Sequence, residues 1–261
     1  METHNLTNHS DKKTTNELRL WQLLLLVFIP PSLLMLAYAG IGQIPAVQNA
    51  IPSLLLFYLL ALLILFPFEL LVVLVASKKE FCRYSLKSAL TNYQKIPWWQ
   101  IALFGMLTWG FAGLMTVTIL PLENQLFAPL SQRLSELIPA YFDWTNIPYL
   151  ERYSASILIL TAVVLFIFNG FVGPIIEELF FRGYLTAKIN RYGKFSPLIV
   201  TVLFSLYHFW LPFNNLFRIT AFFPAFYLTW LKKNIYISIF CHVLSNLFSS
   251  IGLIVLITNL L

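Results

Sequence analysis

ASILILTAVVLFIFNGFVGPIIEE, residues 155–178, is an apolar run that ends in two adjacent carboxylates. About 20 apolar residues cross the hydrocarbon core of a bilayer as an α-helix, so the run predicts a membrane-spanning helix. Ionisable side chains at membrane depth are rare, and they usually face a protein interior or a wet cavity where they bind ions or do proton chemistry. Glu177 and Glu178 therefore mark a candidate site as well as a span.

The composition of the whole chain is that of a polytopic membrane protein. Of its 261 residues 59% are hydrophobic and 11% are charged, and the mean hydropathy is +0.76, which is too apolar for an ordinary soluble domain. The net charge of +6 is spread through short loops, which argues against a nucleic-acid partner. The two cysteines, Cys82 and Cys241, are too few for a disulfide framework. We expect an all-α transmembrane bundle in a lipid bilayer.

Apolar runs of suitable length predict about seven transmembrane helices. The fifth and sixth are short and are separated by only a few residues, which indicates a tight helical hairpin. The predicted spans are residues 20–42, 51–76, 99–120, 155–178, 196–212, 217–231 and 235–258. The chain then divides into a polar tail (1–19), three helices with a long outer loop (20–154) and a four-helix core (155–261).

The orientation follows from the Lys and Arg residues. The segments before the first, third, fifth and seventh spans hold three, five, four and two of them, which is fourteen of 17. The other side holds only Arg133, Arg152 and Arg218. Because cytoplasmic loops carry the excess of Lys and Arg, we expect the N-terminus in the cytoplasm and the C-terminus outside.

The long outer segment, residues 121–154, contains an amphipathic pattern. Its apolar residues recur at helical spacing, with Gln132, Arg133 and Glu136 on the other side. We expect a separate amphipathic helix on the outer interface. It would serve either as a surface helix that closes the bundle or as a substrate lid. The apolar positions are Leu126, Leu130, Leu134, Leu137, Ile138 and Tyr141.

Three residue pairs at i, i+4 spacing fall on three of the core helices. They are Glu178 with Arg182, Phe204 with His208, and His242 with Asn246, and each pair shares one helix face. At about 1.5 Å per residue, Glu177, His208 and His242 lie roughly 16, 18 and 13 Å from the cytoplasmic surface. A similar depth on three helices favours one shared site. Taken singly, each group could be a structural ion pair or a satisfied core histidine.

The two adjacent carboxylates are expected to differ in role, because successive helical residues point about 100° apart. Glu178 can pair with Arg182 one turn on, which keeps it ionised and fixed in orientation. Glu177 faces elsewhere, and a carboxylate in an apolar cavity suits a general base that takes a proton from water. Gly173 and Pro174 should bend the helix just before the pair.

These residues resemble the motifs of the CPBP family of intramembrane proteases, also called the Abi family, which includes CAAX prenyl endopeptidases and bacteriocin-processing and immunity proteins. That family carries EExxxR, FxxxH and HxxxN, each on its own transmembrane helix. The same order and spacing occur here over about residues 155–250. The resemblance implies a multi-pass protein of the bacterial cytoplasmic membrane that acts on a peptide or protein substrate, with a site that opens toward the cytoplasm.

The resemblance also implies a role for each motif residue. Glu177 and His208 would activate a water for attack on a peptide carbonyl, and His242 with Asn246 would stabilise the oxyanion. Glu178 and Arg182 would organise the groups around them. Nothing in the motifs departs from the family pattern, so the resemblance implies an active enzyme.

Two points stay open at this stage. Glu177, His208 and His242 offer the two-His, one-carboxylate set of a catalytic zinc site, but a metal-free water activated by Glu177 fits the residues equally well. Glu69, in the second span, could line the cavity, pair with Arg182, snorkel to the surface or cap a helix. A non-catalytic immunity or scaffold protein is the alternative function, and a proton-coupled transporter is a third. The oligomeric state is not predicted.

Overall fold

The computed structural model describes residues 17–91, 93–144 and 146–261, and within them it contains helices and no strand. Residues 1–16, most of the predicted polar tail, lie outside the described residues. Within these residues nine α-helical elements follow one another. They are α1 (Leu20–Ile41), α2 (Pro45–Ala50), α3 (Ser53–Phe81), α4 (Trp98–Leu137), α5 (Ile147–Leu150), α6 (Ala155–Lys188), α7 (Ser196–Tyr207), α8 (Asn215–Lys232) and α9 (Tyr236–Thr258). Two of them, α3 and α6, contain π-helical stretches. Short 3₁₀ turns occupy Ala140–Phe142 and Asn190–Phe195.

Five of the described helices, α1, α3, α4, α6 and α9, are long and apolar enough to span a membrane. The fifth and sixth predicted spans do not reach that standard. Helix α7 has 12 residues and is about 18 Å long, and α8 contains Arg218 and Lys232 among its 18 residues. The two helices do form the predicted hairpin, with α7 packed on α8 across the loop 208–214. The predicted count of seven spans is thus not confirmed.

The predicted separate amphipathic helix is wrong in its boundaries. Helix α4 runs without interruption for 40 residues and includes Pro121 and Pro129. Its apolar residues from Leu126 to Leu137 are exposed on the helix, whereas Tyr141 lies beyond the helix and is buried. At about 1.5 Å per residue α4 is roughly 60 Å long, about twice the thickness of a hydrocarbon core.

Helix α6 carries the first motif and is longer than predicted. It ends at Lys188, ten residues after the predicted end at Glu178, because the sequence after the carboxylates stays apolar. Two π-helical stretches, Leu165–Val172 and Leu179–Leu185, lie on either side of the α-helical segment Gly173–Glu178. π-helical turns are rare and occur frequently at functional sites.

The two ends of the bundle differ in charge. At one end α3, α6 and α8 finish and α1, α4, α7 and α9 begin. An ion pair between Lys188 and Glu80 and a hydrogen bond from Gln94 N to the Lys233 carbonyl hold this end together. We call it the basic end, and its cations include Lys78, Lys79, Lys188, Lys194, Lys232 and Lys233.

The other end, called the opposite end below, is tied by contacts between segments far apart in sequence. Trp144 Nε1 donates to the Tyr38 hydroxyl at 2.9 Å. Glu123 of α4 accepts hydrogen bonds from the backbone N–H groups of Leu216 and Phe217 at 2.8 and 2.7 Å. A carboxylate is well suited to the first turn of a helix, where N–H groups have no partner inside the helix. Helix α4 therefore fixes the start of α8.

Candidate active site

The carboxylate of Glu177 lies between the two histidines. Its Oε1 is 3.9 Å from Nε2 of His208, and its Oε2 is 3.7 Å from Nε2 of His242. The three residues come from α6, from the position just after α7 and from α9. The predicted span 196–212 ends early, so His208 is the C-cap of α7. The structure thus brings together the three groups predicted from separate helices.

The second nitrogen of each histidine has its own partner. His242 Nδ1 is 2.9 Å from Glu178 Oε1, and His208 Nδ1 is 2.8 Å from the Phe204 carbonyl. A hydrogen bond at one ring nitrogen fixes the orientation of the imidazole and decides which nitrogen carries the proton. The Phe204 carbonyl can only accept, so Nδ1 of His208 donates to it. Nε2 of each ring is directed at Glu177.

Glu178 and Arg182 form the predicted ion pair, and it is buried in the protein interior. Their nearest atoms are 3.3 Å apart, and both side chains are buried. The guanidinium carbon lies 3.9 Å from the ring centre of Phe204 and 3.1 Å from that of Phe226. Among the described residues the nitrogens of Arg182 have no partner with hydrogen-bond geometry. Arg182 is therefore held by charge and by two aromatic faces.

Asn246 lies one turn after His242 and is held by α6. Its Nδ2 donates to the Asn169 carbonyl at 3.0 Å, and the Asn169 side chain donates to Ser250 at 2.8 Å. An Asn amide has two N–H donors, so one remains for a ligand. Cys241, next to His242, is fully buried and packs in the core.

A cavity of about 260 Å³ contains the site. Glu177, His208, His242 and Asn246 all line it. Many of its other lining residues lie toward the opposite end of the bundle, among them Leu54, Phe57, Trp144, Leu165, Asn169, Trp210, Leu211, Arg218, Ser249 and Leu253. The side on which the site opens stays a prediction. Sequence spacing could give the depth of each residue but not the direction of the space between helices.

Two buried features near the site are absent from the sequence-based site: the hydrogen bond between Tyr207 and Glu69, and the guanidinium of Arg218. Tyr207, next to His208, donates a hydrogen bond of 2.6 Å to Glu69 Oε1, and both residues are fully buried. Glu69 is thus a core residue and does not snorkel. Arg218 lines the cavity, is 8% exposed and donates from Nη1 to the Ser205 carbonyl at 2.9 Å. Its position at the start of the predicted span 217–231 could have singled it out, but the sequence analysis uses it only as a positive charge of the outer side.

The residues do not fit a metal site as they are placed. Among the described residues no group of three or more His, Cys, Asp or Glu side chains could hold a metal ion. Ligand atoms that lie about 2.0–2.2 Å from a tetrahedral zinc ion are roughly 3.3–3.6 Å from one another, whereas the Glu177 oxygens lie 3.9 and 3.7 Å from Nε2 of His208 and His242. We derive no step through a metal.

One comparison with known proteins identifies the segment. Residues 159–248 match the family model described as type II CAAX prenyl endopeptidase Rce1-like. All three motifs fall inside this match, so the predicted resemblance to the CPBP and CAAX protease family is confirmed. Together with the five apolar helices of the described residues, this match points to an integral membrane protein. No curated protein and no solved structure matches the chain.

Proposed function

We propose that this protein is an intramembrane endopeptidase that hydrolyses a peptide bond in or next to the membrane. The observation that carries the proposal is the position of Glu177 between two histidine Nε2 atoms at 3.9 and 3.7 Å. Separations of this size are too long for a direct hydrogen bond but suit a bridging water. The family match supports a protease with a peptide or protein substrate.

In the proposed reaction Glu177 takes a proton from a water that also contacts Nε2 of His208. The resulting hydroxide attacks the carbonyl carbon of the substrate, and the carbonyl oxygen becomes an oxyanion. Glu177 then returns the proton to the leaving nitrogen as the C–N bond breaks. The products are a carboxylic acid and an amine.

His242 and Asn246 are the proposed oxyanion donors. In its protonated form His242 donates from both ring nitrogens, from Nδ1 to Glu178 and from Nε2 to the oxyanion. His242 and Asn246 both line the cavity, and they lie one turn apart on α9. Removing one preorganised donor of this kind commonly lowers kcat by about 10²- to 10³-fold. Glu178 orients His242 through Nδ1, and Arg182 balances the charge of Glu178.

The experiment compares membrane peptides from cells that express the wild type with those from cells that express Glu177→Gln, by mass spectrometry. Gln keeps the size and polarity of Glu but cannot take the proton, so we expect at least one cleavage product to disappear and its precursor to accumulate. Glu136→Gln is the matched control, since Glu136 is exposed on α4 and does not line the cavity. If the peptides of Glu177→Gln cells are the same as those of the wild type while the variant inserts normally, a non-catalytic binding role is favoured instead.

A further inference from the structure

We infer that Pro174 is a positioning residue for the proposed reaction: it leaves the Asn169 carbonyl without a backbone donor, and this free carbonyl holds the amide of Asn246 in the catalytic cavity. The inference rests on the proposed function for the role of Asn246 as an oxyanion donor. The contacts that link the three residues do not depend on that function.

The first step is the backbone of α6 just before the two carboxylates. In an α-helix the carbonyl of residue 169 accepts from the N–H of residue 173, and in a π-helix it accepts from that of residue 174. Here the Gly173 N–H donates to the Phe168 carbonyl, at the end of the π-helical stretch Leu165–Val172. Residue 174 is proline, which has no N–H. Neither of the backbone groups that would normally serve the Asn169 carbonyl therefore donates to it.

The second step is the donor that takes their place. Nδ2 of Asn246 donates to the Asn169 carbonyl at 3.0 Å, from α9 to α6. The Asn169 side chain donates to Ser250 Oγ at 2.8 Å, and Ser250 donates to the Asn246 carbonyl at 2.7 Å. Gly170 allows the two helices to lie this close, because a Cβ there would be 2.6 Å from Leu247 Cδ2. Asn169 therefore contacts α9 at two positions that are one helical turn apart.

The third step is what this contact does for the cavity. A carboxamide without a partner can turn about its last side-chain bond and present either its oxygen or its nitrogen. The Asn169 carbonyl can only accept, so it selects the nitrogen and holds the second N–H of Asn246 at the wall of the cavity that Glu177 also lines. A donor of this kind contributes most when it is fixed before charge develops on the substrate oxygen. Pro174 thus acts on the reaction through Asn246.

A double-mutant cycle tests the link between the residues without a substrate. Pro174→Ala restores an N–H that can serve the Asn169 carbonyl, so we expect it to raise the temperature of thermal unfolding in detergent by about 2–4 °C. Asn246→Ala leaves that carbonyl without a donor and should lower the unfolding temperature, but by less when Pro174→Ala is also present. Shifts that simply add in the double variant overturn the inference.

Cleavage kinetics test the consequence for the reaction. The substrate is the precursor that accumulates in Glu177→Gln cells, and its cleavage is measured in membranes that contain each variant. We expect Pro174→Ala to lower kcat by about 10-fold or more, toward the 10²- to 10³-fold loss of a removed donor, and to leave KM unchanged. The more stable protein is then the less active one. Pro129→Ala is the matched control, since Pro129 lies inside α4, is exposed and does not line the cavity; it should keep the wild-type kcat.

A second substitution separates the N–H from the shape of the side chain. Pro174 is buried and lines the cavity, so Pro174→Ala also removes volume. Pro174→Val restores the N–H while it keeps about the size of proline, and we expect the same loss of kcat. A Pro174→Val variant that cleaves at the wild-type rate, or a loss that appears in KM alone, overturns the inference. Cleavage by Asn246→Ala at the wild-type rate would instead overturn the oxyanion role within the proposed function, and with it the part of the inference that rests on that role.

Discussion

Glu178 Oε1 lies 2.9 Å from Nδ1 of His242, although the two residues are 64 positions apart in the chain. The second carboxylate of the adjacent pair therefore serves a histidine on another helix, while the first faces both Nε2 atoms. One helical step of about 100° is enough to separate these two roles. The contact also ties α6 to α9 at the level of the site.

Glu178→Gln is expected to lower the rate of processing by about 10- to 100-fold, the usual effect of removing a group that orients a functional histidine. Gln can still accept a hydrogen bond from Nδ1, but it no longer neutralises Arg182. The initial rate of substrate cleavage in membranes measures the effect. A loss as complete as that of Glu177→Gln would show that Glu178 takes part in the chemistry itself.

Tyr207→Phe is expected to destabilise the protein by about 1–3 kcal/mol, because it removes the donor to a fully buried carboxylate. The other oxygen of Glu69 already has no hydrogen-bond partner among the described residues. Thermal unfolding in detergent checks this. Tyr227→Phe is the matched control, since Tyr227 is only partly buried, and an equal loss in both variants would contradict the assigned role.

Removing Glu69 as well should recover part of that loss. In Glu69→Leu/Tyr207→Phe both partners of the hydrogen bond are apolar and neither leaves a buried polar group unpaired, so the double variant should unfold at a higher temperature than Tyr207→Phe alone. Strictly additive losses in the double variant would show that the two side chains act independently.

Gly183→Ala is expected to destabilise the protein by about 1–3 kcal/mol through overpacking. A Cβ at this position would lie 2.7 Å from the backbone oxygen of Ala89, which cannot move as a side chain can. Gly113→Ala is the control, because no heavy atom lies within 4 Å of its added Cβ. That change should stabilise α4 by up to about 1 kcal/mol. Similar unfolding temperatures for the two variants would contradict the close approach of the loop to α6.

Treatment of the membranes with EDTA or 1,10-phenanthroline is expected to leave the rate of cleavage unchanged. The reason is that the donor groups around Glu177 do not form a metal-ligand set. Activity that falls with the chelator and returns with added Zn²⁺ would contradict the proposed water activation and would require the three side chains to move together.

Much of the site could be predicted from the sequence because its residues are local pairs on helices. The spacing from Glu178 to Arg182 and from His242 to Asn246 is one helical turn, and the cost of burying such groups in a membrane singles them out. The bond between Glu69 and Tyr207 could not be predicted, because it joins residues 138 positions apart. The direction in which the cavity extends depends on how the helices pack against one another, and this packing cannot be inferred from the sequence of one helix.

The errors at helix ends have a similar cause. The predicted third span ends at residue 120 and a separate helix follows it, yet α4 continues through Pro121 and Pro129. A proline removes one backbone hydrogen bond and can be accommodated in a membrane helix when neighbours satisfy the freed groups. Hydropathy likewise set the end of α6 at Glu178, whereas the helix continues through the buried ion pair to Lys188.

The contact of Glu123 with the first turn of α8 makes the matched segment depend on a residue that lies before it in the chain. The family match covers residues 159–248, and Glu123 lies outside it, yet its carboxylate accepts from two backbone N–H groups of the matched segment. Capping of this kind is commonly worth about 1 kcal/mol. The hairpin of α7 and α8, which carries His208, is thus capped by α4, a helix that precedes it in the chain. A core expressed without α4 would have to find a substitute for that carboxylate.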